Sequence, residues 1–138
     1  AMPPTQPMEE ATFTNCIIYG SNQIQMLIDK VDHPTFNYKF DHCLIKFNNV
    51  NNIYTNNELY QFANDASRYV NCIIATNNSV ANPKFLNVIK NKLIIGDDSA
   101  AKGQANATFS SGTFDILNQP RNPPLDIGAY NSTIFEED

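Results

Sequence analysis

A four-residue pattern that recurs three times constrains this chain more than any other feature. It occurs as Asn15-Cys16-Ile17-Ile18, His42-Cys43-Leu44-Ile45 and Asn71-Cys72-Ile73-Ile74, and its cysteines lie 27 and then 29 residues apart. An aromatic residue stands three positions before each cysteine, namely Phe13, Phe40 and Tyr69. Repeats of this length are typical of solenoids, in which each repeat lays its strand on the one before. The pattern therefore predicts stacked strands with the cysteines in one column.

The three cysteines of the pattern are the only ones in the chain. Their odd number does not fit a closed disulfide framework. A structural metal site needs cysteines clustered in sequence or four ligands gathered in space, whereas free cysteine is among the most buried residue types. We therefore interpret Cys16, Cys43 and Cys72 as an inert core column. A disulfide between neighbours and a metal site are the alternatives.

The apolar residues of the pattern alternate in a way that leaves two interpretations open. Each cysteine shares its side of the strand with the second isoleucine, while the aromatic residue and the first isoleucine or leucine share the other side. A strand buried on both faces would explain this, and so would a bend at Asn15, His42 and Asn71. We favour the bend, because Asn side chains stacked at equivalent corners could hydrogen-bond from one repeat to the next.

Composition narrows the class of protein. The 138 residues predict one domain, and the net charge of −5 argues against nucleic acid as a partner. No apolar run approaches the roughly 20 residues of a transmembrane helix. The twenty asparagines favour many tight turns, since Asn tolerates left-handed backbone. The first residues lack the basic and apolar regions of a signal peptide. A mature or truncated chain would also lack them, so secretion is not excluded.

The order of segments predicts three parts. Residues 1–11, with three prolines, are interpreted as a linker or arm; residues 12–90 as the repeats; and residues 91–138 as closing turns and a C-terminal cap. Strands are predicted around Phe13–Tyr19, Gln23–Ile28, Phe36–Phe47 and Arg68–Thr76. Between the last two lies an Asn-rich excursion in which Glu58–Ala66 could form a short helical turn.

Three elements together resemble a known family: the repeated pattern, the segment Ser99–Gly103, and a closing motif that runs Asp115-Ile116-Leu117, Arg121, then Asp126-Ile127-Gly128-Ala129-Tyr130. They resemble the C-terminal part of right-handed parallel β-helix proteins, the pectate-lyase-like superfamily of secreted and surface-attached bacterial proteins. The similarity covers about residues 12–131, and Asn118 stands where the family usually has glycine. The resemblance implies an all-β fold, a right-handed parallel β-helix of about three rungs plus an irregular C-terminal cap.

The closing motif is interpreted as structural. Arg121 has Asp115 and Asp126 nearby in sequence and could tie two irregular segments through a bidentate pair. Gly128 would permit a tight turn or a close backbone approach. Asn15 and Asn71 are assigned a structural role at the corners of the repeat.

Candidate chemistry is sparse. His33 precedes a proline in a turn and His42 takes the corner position, so neither supports a catalytic arrangement. The resemblance to polysaccharide lyases implies a Lys or Arg base and a cation, for which the chain offers Lys39, Lys46 and Arg68, with Asp29, Asp32, Asp41 and Asp65 as Ca²⁺ ligands. These residues form no site motif, so we predict no cofactor, with Ca²⁺ as the alternative.

A glycan-binding role needs less machinery. Tyr19 and Lys46 occupy one repeat position, and Tyr54, Tyr60 and Phe62 lie in the excursion. Exposed aromatic rings on a flat ladder could stack against sugars; the alternative is that they pack the excursion onto the sheet. We predict glycan contacts at Tyr19, Lys46, Tyr54 and Tyr60.

The sequence thus favours a non-catalytic extracellular or cell-surface module with a structural, adhesive or glycan-binding role and a polysaccharide partner. The alternative is the C-terminal part of a polysaccharide lyase or glycosidase whose catalytic rungs lie upstream. A third reading is a scaffold that binds copies of itself. Because an uncovered first rung would expose strand edges and apolar surface, we expect self-association or upstream rungs at the N-terminal end.

Overall fold

The fold is all-β, as predicted, and consists of short strands. The computed structural model describes Pro4 and residues 6–32, 34–109 and 114–136, and within these ranges it has no α-helix. The strands are β1 (Thr12–Thr14), β2 (Ile17–Ile18), β3 (Lys39–Asp41), β4 (Leu44–Lys46), β5 (Tyr69–Val70), β6 (Ile73–Ala75), β7 (Phe85–Asn87) and β8 (Lys92–Ile95). Two single 3₁₀ turns lie at Glu58–Tyr60 and Ala107–Phe109.

The three copies of the pattern lie side by side in two parallel sheets. One sheet has the order β1-β3-β5 and the other β2-β4-β6. The register pairs Phe13 with Phe40 and Phe40 with Tyr69, and it pairs Ile17 with Leu44 and Leu44 with Ile73. The aromatic rings before the cysteines stack, with centroids 4.9 and 5.8 Å apart. The predicted column of equivalent residues is therefore present.

A bend residue separates the two strands of each copy. Asn15, His42 and Asn71 all have left-handed backbone, with φ of 57°, 52° and 48°. Residues other than glycine rarely adopt this conformation, and among them Asn, Asp and His do so most often. The predicted bend is thus confirmed. The predicted chain of hydrogen bonds between corners is only partial: Asn71 Nδ2 lies 3.5 Å from His42 Nε2, while Asn15 bonds elsewhere.

The sheet β2-β4-β6 is packed on both faces, so the interpretation that its strands are buried on both sides also holds. On one face Ile18, Ile45 and Ile74 pack with the cysteines and the stacked aromatic rings. On the other, a second cluster unites the opposite residues of these strands with the closing segment: Ile17, Leu44 and Ile73 against Ile95, Ala101 and Ile127. The bend and the double burial coexist because the closing segment covers the outer face.

Two predicted strands differ in the structure. The segment Gln23–Ile28 is not a strand; Ile24 alone forms an antiparallel bridge to Phe47. Phe36–Phe47 is divided by the bend at His42. Of the predicted helical turn over Glu58–Ala66, only Glu58–Tyr60 forms a 3₁₀ turn, in which the Asn57 side chain accepts a hydrogen bond from Leu59 N; the rest belongs to the irregular excursion.

Chain segments pack across the boundaries of the three predicted parts. Within the predicted arm, Met8 bridges Phe36 in parallel and Ala11 accepts a hydrogen bond from Lys39 N, so this part continues the first sheet. The antiparallel hairpin β7–β8 crosses the predicted boundary at residue 90. The closing segment reaches back to the first repeat, since Gly128 N donates to Asn15 O at 3.0 Å.

A substitution at Gly128 tests whether the closing segment packs closely against the first repeat. Its φ is +100°, and a Cβ there would lie 2.8 Å from Ile17 Cδ1. Gly128→Ala should therefore lower the free energy of unfolding by about 1–3 kcal/mol, from backbone strain and lost packing. Urea denaturation followed by circular dichroism measures the change.

Gly20→Ala is the matched control. The nearest atoms to its added Cβ belong to the flexible end of the Gln25 side chain, which can move aside. Equal losses for the two variants would contradict the assigned role of Gly128.

Candidate functional site

A polar concavity lies beside the excursion. We name it the excursion groove. Its volume is about 750 Å³, and it is lined at the start of β3 and along the excursion by Asn37, Tyr38, Lys39, Glu58, Gln61, Asn64, Asp65, Ser67 and Arg68. The lining offers amides, a hydroxyl and charges of both signs, the mixture of donors and acceptors that orients a polar ligand.

Arg68 organises the groove. Its guanidinium carbon lies 4.9 Å from the centre of the Tyr38 ring, a cation–π contact. Its Nη1 donates to Glu58 O at 3.3 Å, and its Nε lies 3.7 Å from Asp65 Oδ2. Arg68 thus fixes the end of the excursion against β3.

Asp65 shapes the turn before Arg68. Its Oδ1 accepts hydrogen bonds from Ser67 Oγ at 2.6 Å and from the main-chain N–H groups of Ser67 and Arg68 at 3.2 Å. The Ser67 hydroxyl is the largest cause that lowers the pKa of Asp65. Asp65 therefore remains a carboxylate acceptor and is committed to the turn.

The charges of the groove are balanced. Glu58 pairs with Lys30 at 2.6 Å, and the Lys30 hydrogen bond lowers the pKa of Glu58. The Lys39 side chain is 43% exposed and its Nζ lies 3.9 Å from Asp41 Oδ2. Because this contact is long and Lys39 is open to solvent, its ammonium can turn toward a ligand.

Lys46, one of the predicted glycan contacts, is not on an exposed ladder face. Its side chain is almost wholly buried, donates to Gly20 O at 2.8 Å and lies 5.1 Å from the Tyr19 ring. The Tyr19 hydroxyl is itself buried and has no partner among the described residues. Helical or strand periodicity could not predict the burial of Lys46, because its ammonium group is satisfied by a main-chain carbonyl.

The excursion tyrosines pack inward. The buried Tyr60 hydroxyl accepts from Ile28 N at 2.7 Å and donates to Ile28 O at 3.2 Å. Tyr54 packs against Tyr60 with centroids 5.0 Å apart, and Phe62 packs edge-on against Tyr69 at 4.7 Å. The arrangement matches the alternative in which these rings attach the excursion to the sheet.

A second polar cluster lies around the bend residues Asn15, His42 and Asn71. The buried Asp41 carboxylate bonds His42 Nδ1 and accepts from Asn106 Nδ2 at 3.3 Å. Asn106 N also donates to Asn15 Oδ1 at 2.7 Å, and Asn15 Nδ2 donates to Asn106 O at 3.1 Å. Burial alone would raise the pKa of Asp41, but the bonds from His42 and Asn106 lower it overall.

The closing motif is held by carboxylates that accept main-chain hydrogen bonds. Asp115 accepts from the N–H groups of Leu117, Gln119 and Asn131, and Asp126 accepts from those of Gly103 and Ser132. Burial would raise the pKa of Asp115, yet these N–H bonds lower it.

Arg121 differs from the prediction. Its guanidinium donates to the main-chain carbonyls of Asp126 at 3.3 Å and Gly128 at 2.8 Å, not to the two carboxylates as a bidentate pair. The carboxylates are occupied by N–H groups, so the carbonyls are the acceptors left within reach. Asn118 has φ of 60°, which explains how Asn can stand at a position where the resembled family has glycine.

The remaining candidates stay apart. His33 lies outside the described residues. In the described ranges, no group of three or more His, Cys, Asp or Glu residues is arranged to hold a metal ion, so Asp29, Asp32, Asp41 and Asp65 form no Ca²⁺ cluster. The same ranges contain no helix with the length and apolar character needed to cross a membrane.

Comparisons with protein-family models, curated proteins and solved structures found no match to this chain. Sequence reasoning missed the amides Asn37, Gln61 and Asn64 of the groove, because only the pairing of β3 with β5 brings them together. The available signal was the polar run after Tyr60.

Asp41 yields a pH-dependent prediction. Its pKa is lowered on folding, so its carboxylate stabilises the fold above the unfolded-state pKa of about 4, and this stabilisation is lost as pH falls through the lower folded pKa. Asp41→Asn should cost about 1–3 kcal/mol near neutral pH. Below the folded pKa the difference from the original protein should shrink.

Urea denaturation at a series of pH values measures this. Asp98→Asn is the control, since its exposed carboxylate lies 3.8 Å from exposed Lys84 and surface pairs contribute little. A pH-independent difference for Asp41→Asn would contradict the assignment.

Proposed function

We propose that the chain is the C-terminal portion of a right-handed parallel β-helix of the pectate-lyase-like kind. The support is the repeated geometry: two parallel sheets with the same strand order, joined in every copy by one left-handed residue. Crossover connections between parallel strands are right-handed in about 98% of cases. The closing segment, with its Asp115, Arg121 and Asp126 bonds, would then be a side cover that seals the outer face.

We further propose that this module is non-catalytic and binds a polysaccharide in the excursion groove. One observation carries the proposal: the groove gathers side-chain amides, a hydroxyl and an exposed ammonium along an open surface about 750 Å³ in volume. Amides both donate and accept, which suits adjacent sugar hydroxyls. Lys39 would take a hydroxyl or a uronate carboxylate.

The groove favours binding over turnover. Arg68 is engaged with the Tyr38 ring, Asp65 and Glu58 O, which is a structural use of a guanidinium. Asp65 is engaged with its own turn. A polysaccharide outside the cell or on its surface is the partner that the resemblance to the β-helix family implies, so we place the module there.

Glycan binding can be tested by calorimetry against neutral and uronate-containing polysaccharides. The double variant Lys39→Ala/Asn64→Ala should weaken binding by roughly tenfold, because two hydrogen-bonding groups of about 1.4 kcal/mol in total are removed. Both residues are partly or wholly exposed, so folding should be unaffected.

Lys90→Ala, at an exposed position in the β7–β8 turn, is the matched control and should bind like the original protein. Equal binding by the double variant would contradict the assignment of the groove. Release of unsaturated sugars during the titration would instead favour a polysaccharide lyase.

We also propose that a second copy of the chain covers the open edge of the first repeat. Phe13 is 44% exposed, whereas Phe40 and Tyr69 in the same stack are 5% and 4% exposed. Beside it lies an apolar groove of about 400 Å³, lined largely by Met8, Phe13, Ile18, Met26, Leu27 and Phe36. Since Tyr69 at the other end of the stack is buried, a head-to-head pairing of two open ends would suit the contact better than a head-to-tail one.

Sedimentation equilibrium tests this association. The original protein should form dimers at high concentration, and Phe13→Lys should shift it toward monomer. Ile89→Lys, at a position that is 99% exposed in the β7–β8 turn, should leave the dimer unchanged. A monomer at all concentrations would contradict the proposal and favour an upstream strand pair as the cover.

A further inference from the structure

The cysteines form a column of three neighbouring thiols. The register pairs Ile17 with Leu44 and Leu44 with Ile73, so Cys16, Cys43 and Cys72, which directly precede these residues, stand beside one another at the starts of adjacent strands. Neighbouring strands in a sheet lie about 4.8 Å apart. Cys43 is therefore next to both other thiols, and the outer two are separated by it.

The middle thiol differs from the outer two in exposure. Cys43 is fully buried, whereas Cys16 and Cys72 are half-buried. Each thiol donates to a nearby carbonyl: Cys16 to Thr14 O at 3.4 Å, Cys43 to Phe13 O at 3.3 Å and Cys72 to Phe40 O at 3.2 Å. A solvent-borne reagent would therefore meet an outer thiol first.

We propose that this column is a site of reversible oxidative modification, in which a hydroperoxide oxidises Cys16 or Cys72 and Cys43 resolves the product into a disulfide. An accessible thiol beside a second, resolving thiol is the arrangement found in peroxide-sensitive cysteines.

The oxidation takes place in two steps. The outer thiolate attacks the terminal oxygen of the hydroperoxide, the O–O bond breaks, and a sulfenic acid and an alcohol or water form after proton uptake. Cys43 sulfur then attacks the sulfenic sulfur, the S–O bond breaks, and a disulfide and water result. The hydroperoxide is reduced by two electrons, which the two thiols supply.

The hydrogen bond from Cys43 supports the first step. It lowers the pKa of Cys16 and of Cys72 to about 7, and the same interaction raises the pKa of Cys43. Cys43 carries a single S–H proton, which donates to Phe13 O in the structure; it would turn to an ionised outer thiol and can stabilise only one thiolate at a time. The thiolate is the reactive form of cysteine.

The strand spacing permits a disulfide between either pair of neighbours. In-register strands hold equivalent atoms about 4.8 Å apart, which lies within the Cα separations of about 4.4–6.8 Å that a disulfide spans. The third thiol, always beside Cys43, can attack that disulfide and move the bond to the other pair.

Treatment of the full chain with hydrogen peroxide, followed by alkylation and peptide mass mapping, tests the proposal. The expected product has one intramolecular disulfide and one free thiol. Both Cys16–Cys43 and Cys43–Cys72 pairs should be found, without Cys16–Cys72. Dithiothreitol should restore three thiols. A chain with no intramolecular disulfide, or with Cys16–Cys72, would overturn the proposal.

Four variants separate the roles of the individual thiols. Cys16→Ser and Cys72→Ser should each still form one disulfide, through the remaining outer thiol. Cys43→Ser should form none and should accumulate sulfenic acid that dimedone traps. Because Cys43 is buried and its substitution could unfold the chain, Cys16→Ser/Cys72→Ser serves as a second variant. In this variant the buried Cys43 is the only thiol, so it should keep the circular dichroism spectrum and resist dimedone trapping after peroxide treatment. Failure of both single variants, Cys16→Ser and Cys72→Ser, to form a disulfide while keeping native spectra would contradict the mechanism.

Discussion

The left-handed backbone at Asn15, His42 and Asn71 is the constraint on which the rest of the structure depends. One such residue turns the chain between two very short strands, so every copy of the pattern contributes to two sheets instead of one. Because the turn occupies the same place in each copy, aromatic rings stack on aromatic rings and cysteines stand beside cysteines. A residue of ordinary backbone preference at these corners would extend the strand and move the following side chains to the opposite face.

The corners also connect the repeats to the closing segment. Asn15 exchanges hydrogen bonds with Asn106, and Asn106 reaches Asp41. The closing segment is then held by Asp115 and Asp126, whose carboxylates accept main-chain N–H groups. An irregular chain has many unpaired N–H groups that must be satisfied when it packs against a sheet. Carboxylates with several acceptor sites meet that need without regular secondary structure.

The sequence predicted the repeats well because their period and their stacked residues are local, recurring signals. It predicted the bend at Asn15 and the close approach at Gly128 because both residue types have distinctive backbone preferences. It did not predict the burial of Lys46 and Tyr60, whose polar ends are satisfied by distant main-chain groups that no local pattern reveals. The excursion groove was missed for the same reason, since its two walls meet only after β3 pairs with β5.

The reach of the closing segment back to the first repeat has a consequence for how the chain folds. The bonds between Asn15 and Asn106 join residues 91 positions apart, and the outer face that holds Leu44 is covered only when Ile95, Ala101 and Ile127 arrive. Contacts of such sequence separation slow folding, because a long loop must close before they stabilise anything. During synthesis the repeats would therefore emerge with one apolar face uncovered, and this face would stay uncovered until the closing segment docks.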